Sequence, residues 1–286
     1  MKVFKKIDEI RDFSRNMRKE GRTIGFVPTM GAIHSGHRAL ISRSVEECGC
    51  TVVSIFLNPV QFDRNEDLES YPETMEEDLA LCRKEGVDAV FAPTEEEMYG
   101  GGSLVMISIA HLGDKLCGMS RPGHFRGVML VVAKLLNIVE PDSAYFGEKD
   151  IQQLAIVKRL VRDLDFPVNI VPVPLVRGDD GLAFSSRNRN LSSSEHTSAL
   201  KLNRTLQNIK ERVVSGGESR DDELSVSDIL ADVAEDLVTD PDIELDYLAA
   251  VDSDTLDDIT VVRKGTIFAV AAYIGQTRLI DNWIYR

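Results

Sequence analysis

Two histidines, His34 and His37, flank Gly36 in the segment from Gly25 to Leu40, GFVPTMGAIHSGHRAL. An apolar run, Thr23 to Val27, precedes them, and Leu40, Ile41 and Val45 follow at helical spacing, so the order is strand, glycine-bearing turn, helix. The pair therefore stands at a helix entry. Free backbone N–H groups and the positive end of the helix dipole favour an anion there, and two imidazoles add donors aimed the same way. Phosphate suits this arrangement. The spacing also admits a metal-ligand pair, although zinc needs further ligands and His111, His124 and His196 are scattered singly. A structural turn, with Gly36 present for its backbone freedom, is the third reading.

Other residues extend the phosphate reading. Lys149 follows Gly147 at a predicted strand end, from which an ammonium can reach nucleotide phosphates, and Asp150 beside it can accept from ribose hydroxyls. Ser185, Ser186 and Arg187 put two hydroxyls and a guanidinium in a polar loop suited to closing over a triphosphate. Gln61 and Gln153 are amides near strand ends, able to hold the hydroxyls and carboxylate of a small polar acid, and Arg121 can pair with a carboxylate or phosphate. Each has a plainer reading as a helix cap, a solvated linker, a surface amide or a surface ion pair.

The elements that must position these groups alternate. An amphipathic helix (Ile7, Ile10, Phe13, Met17) opens the chain, and strands are expected at residues 23–27, 51–57, 88–93, 105–109, 143–147 and 168–176. Helices are expected at about 73–85, 125–137 and 151–161. Such alternation implies a Rossmann-like α/β fold, a mainly parallel sheet with helices on both faces, in which ligands bind beyond the carboxyl ends of the strands. The informative turns all lie at such ends: residues 28–37, 58–61 and 147–150. From Arg177 the pattern changes to a polar loop, RGDDGLAFSSRNRNLSSSE, in which Ser192 and Glu195 form a capping box. Helices at about 193–214 and 225–238 follow, then strands at 244–251, 266–273 and 278–283, the last two joined through Gly275-Gln276 as a hairpin. The expected division is a first domain over 1–176 and a smaller C-terminal α+β domain with a short antiparallel sheet, a lid, over 177–286.

At 286 residues the chain can bury roughly three quarters of its unfolded surface. A net charge of -14 argues against nucleic acid as a partner. Residues 1–175 hold 21 basic and 26 acidic side chains (net -5), leaving 12 and 21 (net -9) for 176–286, so the first part is the better host for a polyanion. Cys48, Cys50, Cys82 and Cys117 form no C-x-x-C pair, and the charged start MKVFKKIDEIRDF lacks a signal-peptide core, so the expectation is a cytoplasmic protein with reduced thiols. The longest apolar stretch, Val128 to Ile138, contains Lys134 and Asn137 and is shorter than a membrane span of about 20 residues.

Taken in order, PTMGAIHSGH, FLNPVQF, YP, CGMSRPGHFRGV, FGEKDIQQ and LAFSSRN between Arg22 and Arg189 resemble the pantothenate synthetase (pantoate:β-alanine ligase) family of the nucleotidylyltransferase-like superfamily. The resemblance implies an ATP site along Met30, Gly31, Ala32, Ile33, His34, Ser35, Gly36 and His37, with Gly147, Glu148, Lys149, Asp150, Val176, Phe184, Ser185, Ser186 and Arg187. It places His34 and His37 at the phosphates and makes His34, His37, Lys149 and Arg187 the catalytic set. Gln61 and Gln153 would hold pantoate, with Asn58 and Arg121 nearby and Tyr71 close to the pocket. Phe184 stands where the family commonly has methionine, and Asn190 where an aromatic residue is usual. A homodimer and Mg2+ are implied as well, without assignable metal ligands.

The activity so implied is ATP-dependent condensation of pantoate with β-alanine through a pantoyl adenylate, releasing pyrophosphate and then AMP. No covalent enzyme intermediate is needed, in keeping with the absence of an obvious nucleophile and base pair. Two rivals share the histidine turn. A nucleotidyltransferase acting on a phosphate acceptor would leave a dinucleotide product, and a non-catalytic nucleotide sensor would need no acid pocket of the kind Gln61 and Gln153 supply.

Overall fold

Apolar runs alternating with amphipathic segments build a six-stranded parallel sheet and, after it, a three-stranded antiparallel one. The computed structural model describes residues 1–62, 71–216 and 224–286. The parallel sheet consists of β1 (Lys2–Phe4), β2 (Ile24–Thr29), β3 (Cys50–Ile55), β4 (Ala89–Phe91), β5 (Ser143–Gly147) and β6 (Asn169–Val173), in the order β1-β4-β3-β2-β5-β6. The helices among them are α1 (Ile7–Lys19), α2 (Ser35–Glu47), α3 (Met75–Lys84), α4 (Glu95–Tyr99), α5 (Cys117–Ser120), α6 (His124–Val139) and α7 (Ile151–Asp163).

The central strands are apolar on both faces because helices cover both. Ile24, Phe26 and Val27 of β2 and Val52 and Val53 of β3 are all buried. On one face Val27, Val53, Val90 and Tyr145 pack with Leu40 and Ile41 of α2 and Cys82 of α3. Helix α6 is the most apolar, with Val128, Met129, Val132, Leu135, Leu136 and Val139 among its buried residues. Chain order reverses at β2: β3 lies on one side, and β5, reached only after β4, on the other. That is a topological switch point, and the carboxyl ends of β2 and β5 border the crevice it creates.

Two expectations needed correction. Residues 105–109 form no strand: 102–109 join no ladder among the described residues, and Leu104 and Met106 are 101% and 81% exposed. Their β-propensity has no neighbouring strand among the described residues to act on. Strand β1, absent from the sequence reading, pairs Lys2–Phe4 with Ala89–Phe91.

The second sheet runs β7 (Ile243–Asp252), β8 (Thr266–Ile274), β9 (Thr277–Ile284), with Gly275 at φ 56° in the β8–β9 hairpin. Helices α8 (Ser193–Gly216) and α9 (Val226–Val238) pack on it through Leu202, Leu206, Ile229 and Val233. The capping box before α8 forms as expected, with Ser192 N donating to Glu195 Oε2 and Glu195 N to Ser192 Oγ.

The chain divides into two compact units. One comprises Met1–Asp114, Arg121–Glu148 and Gln153–Val176, the other Lys115–Ser120, Lys149–Gln152 and Arg177–Arg286. No helix among the described residues is long and apolar enough to cross a membrane.

Candidate functional site

Beyond Thr29, at the carboxyl end of β2, the backbone makes a tight turn through Gly31 (φ 92°) and Ala32 (φ 49°) before α2 begins. A left-handed alanine is uncommon and needs outside support. Asp78, 3% exposed in the first turn of α3, supplies it. Its Oδ2 accepts from Ala32 N at 2.9 Å, its Oδ1 from Ile33 N at 2.8 Å, and Thr74 Oγ1 donates to Oδ2 at 3.0 Å. Tyr71 OH donates to the carbonyl of Gly31 at 3.4 Å. Asp78 escaped the sequence reading because it is one acid in the run Glu73, Glu76, Glu77, Asp78, and only its burial sets it apart.

His34 is the N-cap of α2. Its Nδ1 accepts from Gly36 N at 3.1 Å, and His37 Nδ1 accepts from His34 N at 3.4 Å, a reciprocal capping box made by two imidazoles. The rings lie 4.1 Å apart between centroids. With each Nδ1 accepting, the proton of each neutral ring is assigned to Nε2, which makes Nε2 the donor. The role of Gly36 is clearance rather than backbone freedom: a Cβ there would lie 2.9 Å from His34 Cε1. Met30, Gly31, Ala32, Ile33 and Ser35 complete this turn.

Beyond β3, Asn58 (1% exposed) and Gln61 (8% exposed) are locked together. Asn58 Nδ2 donates to Gln61 Oε1 at 3.0 Å and to the carbonyl of Gly127 at 3.2 Å, while Asn58 Oδ1 accepts from Tyr99 OH at 2.6 Å. Burial pushes the Tyr99 phenol up to about 12, so it stays a donor at neutral pH. Gln61 Nε2 reaches Met30 Sδ at 2.7 Å, joining this turn to the one after β2. Arg121 enters through His124: Arg121 Nη1 lies 3.2 Å from His124 Nε2, and His124 Nδ1 lies 2.7 Å from the Gln61 carbonyl. Donation from Nδ1 to that carbonyl leaves Nε2 to accept from Arg121, so a neutral His124 bridges the two. His124 was set aside in the sequence as an isolated histidine, and its spacing from Arg121 was the available signal.

Thus the first unit gathers Met30, Asn58, Gln61, His124 and Arg121 into one bonded network, while Tyr71 and the histidine cap brace the turn that follows Met30. Gly147 and Glu148 close β5, the neighbour of β2, with Glu148 8% exposed. Gln153 is half-buried in the first turn of α7, and Val176 is half-buried after β6.

In the second unit, Lys149 Nζ lies 4.0 Å from Asp150 Oδ2, and the Lys149 carbonyl accepts from Asn282 Nδ2 at 2.9 Å. Phe184 precedes a short 3-10 turn, Ser186–Asn190, that Ser185 caps through its Oγ to Arg187 N at 3.3 Å. Asn188 Nδ2 donates to the Ala183 carbonyl at 2.9 Å. Ser185, Ser186 and Arg187 are therefore held on a braced turn, each half-buried.

Among the described residues no group of three or more His, Cys, Asp or Glu side chains could hold a metal ion. The histidine pair makes reciprocal capping bonds at the entry of α2.

The family model for pantoate-beta-alanine ligase matches residues 2–284. A pantothenate synthetase of Caldicellulosiruptor saccharolyticus is 46% identical over 282 residues, covering 99% of this chain and 98% of that protein. One from Acidobacterium capsulatum is 49% identical over 261 residues, covering 91% and 85%. Among solved structures, a pantothenate synthetase from Thermus thermophilus superposes with a TM-score of 0.92 at 41% identity, covering 100% of this chain and 99% of that one. The pantoate-beta-alanine ligase of Francisella tularensis, complexed with beta-gamma ATP and beta-alanine, superposes with a TM-score of 0.79 at 33% identity, covering 100% and 98%.

Proposed function

The chain belongs to the pantoate-beta-alanine ligase family, and on that premise we propose how its residues carry the reaction. It joins pantoate to β-alanine at the expense of ATP. Carboxylate is a poor acyl donor, so the acid must first acquire a leaving group. An oxygen of the pantoate carboxylate attacks the α-phosphorus of ATP, the bond from that phosphorus to the bridging oxygen breaks, and pyrophosphate departs. The β-alanine nitrogen then attacks the acyl carbon and loses a proton as the bond to AMP breaks.

The observation that carries this reading is the double-imidazole cap of α2, set at the carboxyl end of β2 beside β5. In it, His34 and His37 direct Nε2–H donors and the helix entry at the phosphates; the residues assigned to ATP are Met30 to His37, Gly147, Glu148 and Val176 of the first unit and Lys149, Asp150 and Phe184 to Arg187 of the second. Lys149 and Arg187 neutralise charge as it builds on phosphorus. Gln61 and Gln153 hold pantoate, Arg121 faces its carboxylate or the phosphate, and Asn58 and Tyr71 support the pocket from behind. Each well-placed donor is worth roughly 3 kcal/mol, about a hundredfold in rate, and in-line positioning adds to that.

Magnesium would accompany ATP and would supply positive charge against its phosphate oxygens. Free thiols at Cys48, Cys50, Cys82 and Cys117 support a reducing, cytoplasmic setting. The exposed apolar segment around Leu104 to Met106 supports a homodimer.

Exchange of radiolabelled pyrophosphate into ATP, with pantoate present and β-alanine absent, tests the first step in isolation. Exchange that needs pantoate supports the adenylate, whereas a dinucleotide product would mark a nucleotidyltransferase. Pantoate-independent binding without turnover would mark a sensor. His37→Ala and Lys149→Ala should each slow the exchange by about a hundredfold; near-normal exchange by both would remove them from the site.

A further inference from the structure

Lys149 and Arg177, which begins the loop leading to Ser185, are far apart in the chain, yet both are tied to adjacent residues of β9. Asn282, 6% exposed, donates from Nδ2 to the Lys149 carbonyl at 2.9 Å. Asp281, 4% exposed, takes Arg177 in a two-pronged pair at 2.6 and 2.9 Å. Arg177 Nη1 also donates to the Gly181 carbonyl at 3.1 Å, bracing the loop that leads into Ser185. Successive residues of a strand point to opposite faces, so one face of β9 holds the base of that loop and the other holds the backbone of Lys149. A bond from Asn282 N to Asp281 Oδ1 at 2.7 Å links the two anchors directly. Strand β9 is itself fixed by a full antiparallel register with β8, Asp281 opposite Val270 and Asn282 opposite Ala269.

We propose that Asn282 is a positioning residue for adenylate formation: by holding the Lys149 carbonyl, it sets where the Lys149 ammonium stands. The inference rests on the role given to Lys149 above. A lysine side chain is long and adaptable, so its aim depends on a backbone that does not drift. The stretch Glu148–Asp150 is a single 3-10 turn, and the buried amide of Asn282 ties its middle carbonyl to β9. Nothing in the sequence around Asn282 marks it as functional, because its partner lies 133 residues away.

The test is a double-mutant cycle in the pyrophosphate-exchange assay on the full chain. Asn282→Ala should lower kcat by at least about tenfold and by up to about a hundredfold, the latter being the scale of a reacting group misplaced by about 1 Å, while KM for pantoate stays within about twofold because Gln61 and Gln153 are untouched. In a Lys149→Ala background the same change should cost little further, since the ammonium it positions is gone. Losses that multiply in the double variant, or an unchanged kcat in folded Asn282→Ala, would overturn the proposal. If Asn282→Ala does not fold, the isosteric Asn282→Asp, which removes the donor, is judged by the same cycle. Should Lys149→Ala alone leave exchange intact, the role of Lys149 fails first and takes the proposal with it, an outcome distinct from multiplying losses.

Discussion

The Asn58 amide donates to Gln61 Oε1 across 3.0 Å, and that bond decides which end of the Gln61 side chain faces Met30. Asn58 spends its other donor on Gly127 and its oxygen on Tyr99, so its amide can be seated only one way round. Gln61 consequently offers Nε2, a donor, on the side of the turn that follows β2. A buried residue with a full set of partners thus orients its neighbour.

Gly127→Ala tests how tightly that neighbour is seated. A Cβ at this position would lie 2.5 Å from the Val60 carbonyl oxygen and 2.6 Å from Gln61 Cα and N. These are backbone atoms, which cannot rotate away, so the 59–61 turn must shift. Overpacking of this kind costs about 1–3 kcal/mol. The expected result is a folded protein with a raised KM for pantoate and a nearly unchanged KM for ATP; equal KM values for both enzymes would show the turn to be adaptable.

Asp78→Asn asks the same of the turn after β2. One carboxylate oxygen facing Ala32 N or Ile33 N becomes an NH2 group, so two donors meet in a buried site. Leaving a buried donor unmade costs about 1–3 kcal/mol. Urea unfolding should register that loss, and KM for ATP should rise because the left-handed Ala32 loses support. Wild-type stability together with wild-type KM would show the clamp to be dispensable.

How much of this could be read beforehand depended on range. The strand–turn–helix around His34 and His37 was legible because an apolar run, a glycine and helical spacing are contiguous. The β8–β9 hairpin was legible for the same reason. β1 was not, since three residues with a lysine among them carry no local pattern, and only pairing with the distant Ala89–Phe91 makes them a strand. Residues 105–109 misled in the opposite direction, having strand propensity without a partner. In the site, Asn58, Gln61 and Arg121 were named, but the agents that hold them, Tyr99, Gly127 and His124, become visible only when helices distant in sequence close on the sheet.

Alkaline pH should unfold the protein through its buried acids. Burial, as the leading cause, pushes Cys50 and Cys82 up to about 12 from an ordinary 9.0, and Tyr99 up to about 12 from 10.0. Between pH 9 and 12 the unfolded chain has released protons that the folded chain keeps, so stability falls as pH rises through that window and is unaffected by these groups below it. Urea midpoints measured at pH 7, 9 and 10.5 should decline, and the decline should be shallower in Cys50→Ala and Cys82→Ala. Equal slopes in wild type and both variants would assign the alkaline loss elsewhere.

The segment around Leu104 is where two copies are expected to meet. Gly100 to Ala110 contains no charged residue in a chain of net charge -14, so mutual repulsion between copies is weakest along it. Three consecutive apolar side chains within it face outward, Leu104 at 101%, Val105 at 65% and Met106 at 81% exposure. Its backbone joins no ladder among the described residues, and an extended segment of this kind can add to another extended chain. A second copy supplies an identical segment, and a two-fold axis brings the two together antiparallel. Aspartate at positions 104 and 106 would then bury four like charges at the centre of the contact, a cost far larger than a surface substitution carries. Sedimentation velocity should give twice the chain mass of 31.8 kDa for the natural protein and a single chain for the Leu104→Asp/Met106→Asp variant. A variant that still sediments as a dimer would move the interface away from this segment, and a monomeric natural protein would remove it altogether.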